Sequence, residues 1–125
     1  MALELLRALQ LLRERKVVHN DIRLENVIVH QGHFLLIDFD DAAIMDEHRH
    51  VPGITHLLQP NHAPTITVEH GPEVDVWGLG FAIVKAVAKV HGGNVQLREF
   101  SQWMMGTYAA SSLDEIMQRL GDFIN

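Results

Sequence analysis

The 125-residue chain contains no cysteine, which excludes a disulfide framework. It has no uninterrupted apolar run long enough to cross a bilayer, and its apolar start carries Glu4 and Arg7, unlike a secretory signal. A cytoplasmic or nuclear setting with no membrane partner is the expectation. The ten Lys and Arg residues form no sustained run and the net charge is −6, which argues against a nucleic-acid partner. With 125 residues, 47% of them hydrophobic, the chain can bury one core, so residues 1–125 are expected to form a single domain.

Against these absences stands one dense polar stretch, His19-Asn20-Asp21-Ile22-Arg23-Leu24-Glu25-Asn26, followed by Ile37-Asp38-Phe39-Asp40. Phosphoryl transfer needs an acceptor at the attacking hydroxyl, oxygen ligands for Mg²⁺ and a cation near the transferred group. Asp21, Asn26 with Asp38, and Arg23 supply those types in that order. Val27-Ile28-Val29 and Phe34-Leu35-Leu36-Ile37 read as two strands around a turn at Gln31-Gly32. Antiparallel pairing would make Asn26 and Asp38 neighbours despite their separation in sequence. Taken singly, each Asp or Asn is as well explained by turn chemistry.

The pattern resembles the protein kinase catalytic loop H-R-D-x-x-x-x-N followed by D-F-G, with Asn20 in place of Arg and Asp40 in place of Gly. A second segment agrees: Ala63-Pro64-Thr65 and Asp75-Val76-Trp77-Gly78-Leu79-Gly80 resemble the kinase run from A-P-E to D-x-W-S-x-G. Small-molecule kinases of the aminoglycoside and choline type share the first spacing. Leu24-Glu25-Asn26 and the second segment favour the protein kinase side.

The resemblance implies a mainly α fold with a small β-hairpin, that of a kinase C-terminal lobe. It implies a catalytic loop at residues 19–26, a metal motif at 38–40, an activation-segment-like loop at 41–65 and a central helix at about 73–90. Asp21 is the implied hydroxyl acceptor, with Arg23 where kinases carry a lysine near the γ-phosphate. Asn26 and Asp38 are the implied Mg²⁺ and nucleotide ligands, while His19 braces the loop. Asp75 would anchor that loop by receiving its backbone N–H groups. Thr65 stands where the A-P-E glutamate belongs, so the ion pair that ties this segment to a late helix is not expected. Thr55, Thr65 and Thr67 could carry phosphate, but Asn20 replaces the arginine that would receive it.

Only eighteen residues precede the catalytic-loop pattern, and the chain holds no G-x-G-x-x-G, the glycine loop that covers phosphates in kinases. The nucleotide roof is therefore expected to be missing and MgATP binding to be weak. The face turned toward that missing lobe should leave apolar groups uncovered and favour a protein partner or a homodimer. Three readings follow: a pseudokinase-type binding module, which leads; a MgATP-dependent phosphotransferase completed by another or a swapped chain; and a truncated product without independent activity.

Helical spacing of Leu3, Leu6, Leu9 or Gln10, and Arg13, with Leu5 and Leu12 on a neighbouring stripe, predicts an amphipathic helix over residues 1–15 that ends in solvated charges. Asp41 to Pro64, with three prolines and four histidines, reads as a long irregular loop. Val76, Leu79, Ile83 and Val87, flanked by Trp77, Phe81, Val84 and Ala88, predict a helix from Pro72 to Val90 buried on several sides. Two shorter helices should follow, around residues 96–105 and from a Ser112 cap through Phe123. The late kinase helices look abbreviated, and the resemblance fades from Gly106 onward. His48-Arg49-His50 beside Asp46 and Glu47 offers metal donors without zinc-motif spacing, so the nine histidines read mainly as surface and loop residues.

Overall fold

The computed structural model describes residues 1–57, 61–89, 94–108 and 112–124. The chain opens with α1 (Ala2–Glu14) and the two-residue strand β1 (Val17–Val18). A 3₁₀ turn at Leu24–Asn26 leads into β2 (Val27–His30), β3 (His33–Leu36) and β4 (Ala43–Ile44). Three helices complete the fold: α2 (Glu73–Ala88), α3 (Val95–Thr107) and α4 (Leu113–Ile124). The mainly α architecture with one small hairpin is the one the sequence predicts.

The hairpin pairs Val27 with Leu36 and His30 with His33. Its two-residue turn has φ of 51° at Gln31 and 79° at Gly32, the positive pair that matches the strands' own twist. One end of the register continues into the candidate site, because Ile37 N–H donates to the Asn26 carbonyl at 2.9 Å. The other end is seated on α1, where the Glu4 carboxylate accepts the Phe34 N–H at 3.3 Å and lies 3.1 Å from His33 Nδ1.

Inside the irregular loop the structure adds a strand that the sequence pattern does not mark. β4 pairs antiparallel with β1, Val17 opposite Ile44 and Val18 opposite Ala43. Two residues are too few to display alternation, so only the fold reveals their pairing.

α1, α2, α3 and α4 share one core, built around Leu5, Leu6, Leu79, Ile83, Phe100, Met104 and Ile116. On α1 the buried stripe is Ala2, Leu5, Leu6 and Leu9, while Leu3 is 38% exposed. Leucines occupy more than one face of this helix, so its packing partners rather than its periodicity select the inward one. Arg13 also departs from the expected solvated end: it is half-buried, and burial lowers its pKa while the nearby Asp75 carboxylate opposes that shift.

A second core lies under the loop, where Val18, Met45, Val51, Leu57, Ala63 and Ile66 gather on Val74 and Trp77 of α2. Trp77 is buried and stacks on Phe81 with centroids 5.3 Å apart, which makes it a core residue as its helix predicts. α2 thus touches both cores and acts as the central post. The predicted boundary at Val90 lies outside the described residues. α3 is capped by the Asn94 side chain, and Ser112 Oγ accepts the Glu115 N–H at 3.1 Å at the start of α4.

Candidate functional site

The loop from His19 to Asn26 is held from below by one buried carboxylate. Asp75, in the first turn of α2, accepts the His19 N–H at 2.8 Å on Oδ2 and the Asn20 N–H at 3.0 Å on Oδ1. It is 4% exposed, and burial raises its pKa against the opposing pull of those two N–H groups and of the nearby His19 and Arg13. One turn further along α2, Gly78 lets the loop descend onto the helix. A Cβ there would stand 2.6 Å from the Ile22 carbonyl oxygen, inside any permitted contact distance.

His19 is fully buried and fixed on both ring nitrogens. Nδ1 accepts the Asp21 N–H at 3.1 Å, so the ring proton sits on Nε2, which donates to the Ile37 carbonyl at 3.0 Å. The ring therefore ties the residue bearing the candidate hydroxyl acceptor to the strand leading into Asp38. Its edge also meets Phe39, with centroids 4.7 Å apart.

Asp21 and Asn26 close the loop on itself. Asn26 Nδ2 donates to the Asp21 carbonyl at 2.8 Å and to its Oδ2 at 3.0 Å. With both amide protons committed, the Asn26 side-chain oxygen is the part left to serve as a ligand. Asp38 follows Ile37 at the open end of the hairpin, in a left-handed conformation with φ of 60° that aspartate tolerates better than most residues. It is exposed, and its Oδ1 accepts the Asp40 N–H at 3.2 Å, a turn closed without the glycine usual after D-F.

Arg23 is turned toward carboxylates rather than into open solvent. Its Nε lies 3.3 Å from Asp21 Oδ1 and one terminal nitrogen lies 3.6 Å from Glu25. The first contact is an ion pair without hydrogen-bond alignment, because that same buried Nε has no hydrogen-bond partner among the described residues.

Two histidines of the 41–70 stretch contribute what the sequence left among surface and loop residues. His62 is buried, and its Nε2 lies 2.8 Å from Asp21 Oδ1. His70 is also buried; its Nε2 lies 2.6 Å from the Asn20 side-chain oxygen, while Asn20 Nδ2 donates to the Asp41 carbonyl at 2.8 Å. Asn20, in a left-handed conformation at φ 74°, therefore joins three segments where the resemblance would place an arginine. His48 and His50 do not converge: they approach Glu47 at 3.6 Å and Glu69 at 2.7 Å respectively.

Above the loop, the hairpin and its exit show Ile28, Leu35, Ile37 and Phe39 to solvent, each between 36 and 47% exposed. Among the described residues no helix is long and apolar enough to cross a membrane.

A polar loop clamped from a central helix, with an Asp–Asn pair beside a hairpin that delivers a second aspartate, defines a kinase-type scaffold. The comparisons with known proteins agree. The protein kinase domain model matches residues 1–111, and the chain belongs to that family, whose members use ATP and Mg²⁺. Serine/threonine-protein kinase STE20 of Candida glabrata is 33% identical over 67% of this chain and 10% of the relative. Human serine/threonine-protein kinase PAK 4 is 32% identical over 70% of this chain and 15% of the relative. Crinkler effector protein 8 of Phytophthora infestans is 37% identical over 62% of this chain and 14% of the relative. The chain thus spans between about a tenth and a seventh of the length of these curated relatives.

Proposed function

We propose that the chain supplies the lower, polar half of a protein-kinase-type phosphotransfer site, acting on a Ser or Thr hydroxyl with MgATP when another protein surface covers the nucleotide. The observation that carries this reading is the hydrogen-bonded Asp21–Asn26 pair, in a loop whose His19 and Asn20 N–H groups Asp75 receives, with the Asn26 carbonyl bonded to the N–H of Ile37, the residue before Asp38. These groups retain oxygen chemistry that suits a hard divalent cation: the amide oxygen of Asn26 and the exposed carboxylate of Asp38 are its natural ligands. Magnesium with ATP would supply charge neutralisation at the phosphates. Asp21 would accept the proton of the hydroxyl, and Arg23 would lend positive charge next to it.

The exposed apolar face at Ile28, Leu35, Ile37 and Phe39 supports a covering partner or a second copy of this chain. It equally favours a second reading, a pseudokinase-type module that works through binding alone. MgATP-dependent thermal stabilisation separates the two. The phosphotransferase reading expects stabilisation lost in Asp38→Ala, together with radiolabel transfer to a Ser/Thr peptide lost in Asp21→Asn. A covering protein that binds the apolar face, without any MgATP effect or transfer, supports the binding module and overturns the first reading.

A further inference from the structure

The candidate hydroxyl acceptor is occupied by the chain itself. Asp21 Oδ1 has His62 Nε2 at 2.8 Å and Arg23 Nε at 3.3 Å, while Oδ2 holds Asn26 Nδ2 at 3.0 Å. Asp21 is 6% exposed and His62 is 8% exposed, so water competes little for this contact.

Asn26 and Arg23 belong to the same loop as Asp21, but His62 arrives from 41 residues away. Its delivery is built into the loop core. The adjacent Ala63 and the nearby Ile66 are buried with Val18, Val74 and Trp77, and the Ile66 N–H donates to the Ala63 carbonyl at 3.0 Å. The imidazole is therefore presented by an anchored turn rather than by a chance surface rotamer.

The contact also stands at an entrance. A cavity of about 350 Å³ is lined by Asp21, Arg23, Asp41, His56 and His62, among others, large enough to admit a side chain. A hydroxyl coming through it would compete with His62 for the same Asp21 oxygen. The exchange is chemically even, since an imidazole N–H and an alcohol O–H each offer one proton to a carboxylate.

We propose that His62 is a built-in stand-in for the substrate hydroxyl: the turn around it keeps Asp21 closed, and His62 must withdraw before phosphate can be transferred to a Ser or Thr. This rests on the phosphotransfer reading for its purpose, but the closure itself is a property of the chain. No bond is made or broken in the switch. One hydrogen-bond donor replaces another.

Carbodiimide-driven coupling of glycine ethyl ester to carboxylates, read residue by residue by mass spectrometry, tests closure without relying on activity. In the wild-type chain Asp21 should label about tenfold or more slowly than exposed Asp40. His62→Ala should bring Asp21 toward the Asp40 rate, and His62→Gln, which keeps an N–H donor, should hold it near the wild-type rate. If His62→Ala loses its cooperative melt, His62→Asn takes its place, its amide being too short to reach Asp21. Wild-type Asp21 labelling as fast as Asp40, or labelling unchanged on removal of His62, overturns the proposal.

A parallel assay with MgATP, a Ser/Thr peptide and a protein bound over the apolar face at Ile28, Leu35, Ile37 and Phe39 adds the functional arm, in which His62→Ala should transfer phosphate several-fold faster than wild type. Faster Asp21 labelling with no transfer by any variant leaves His62 as the closure and sinks the phosphotransfer reading. Transfer by wild type that His62→Ala neither speeds nor accompanies with faster labelling sinks the closure and leaves phosphotransfer standing.

Discussion

Replacing Asp75 by alanine removes the one side chain that receives both the His19 and the Asn20 N–H groups. Those donors sit under buried residues, His19 at 0% and Asn20 at 2% exposure, so water cannot replace the lost acceptor without opening the loop. Each stranded donor costs about 1–3 kcal/mol, giving roughly 2–6 kcal/mol for the pair. Part of that is returned, because a buried carboxylate no longer has to be desolvated. A net loss of about 3 kcal/mol is the expected outcome. Folding entropy of about 2 cal/mol/K per residue converts this, for 125 residues, into a Tm lower by about 12 °C. Thermal melts by circular dichroism measure the shift, and hydrogen exchange should show His19 and Asn20 amides losing protection first. A melt within about 1 °C of wild type with both amides still protected would refute the clamp.

Three further outcomes follow from neighbouring geometry. Gly78→Ala should destabilise by about 1–2 kcal/mol in urea unfolding despite alanine's better helix propensity, because its Cβ would press on the Ile22 carbonyl; a gain in stability would contradict that close approach. His19→Ala should uncouple the hairpin exit, raising hydrogen exchange at Asp21, whose N–H it accepts, while amides at His30 and His33 stay unchanged. Asp46 carries a pKa lowered chiefly by the His50 N–H, with the His48 N–H adding to it, so the folded chain favours its ionised form. Its contribution to stability is present above the unfolded-state pKa and fades as pH falls through the folded value. Asp46→Ala should therefore narrow the stability gap from wild type as pH drops from neutral to about 3, as read from urea midpoints; a constant gap would refute that assignment.

How much of this was legible in the sequence depended on how far apart the partners lie. The hairpin was readable because its strands and Gly32 turn are contiguous, and α2 because its apolar residues recur on the helical period. The family resemblance carried Asp75 to its place under the loop. His62 and His70 were not readable: their partners Asp21 and Asn20 lie 41 and 50 residues away, and histidine fits a loop as readily as a buried pair. Nor could the sequence choose the inward face of α1, since its leucines stand on several sides and only packing against α2 and α4 selects among them. The 41–64 loop looked irregular because its order comes from β4, a short strand, and from single buried side chains such as Met45, Val51 and Leu57 that carry no period.

The same long-range contacts shape the candidate site. A scaffold that clamps His19 and Asn20 from α2 fixes the loop that carries Asp21 and Asn26. Preorganised groups of this kind make electrostatic stabilisation effective. Asn20, joined to His70 and Asp41 by its side-chain amide, ties the following segment to the loop where an arginine would await a phosphate. Order in this segment thus rests on packing and histidine contacts present in the unmodified chain.

Paramagnetic relaxation from Mn²⁺ bound with ATP tests the central claim most directly, read in a nitrogen-correlated NMR spectrum of the wild-type chain and of Asp38→Ala. Broadening should centre on the Asn26 side-chain amide and the Asp38 backbone, and should disappear in the variant. Broadening centred on another acidic stretch such as Asp46–Glu47, or unchanged by Asp38→Ala, would contradict the account.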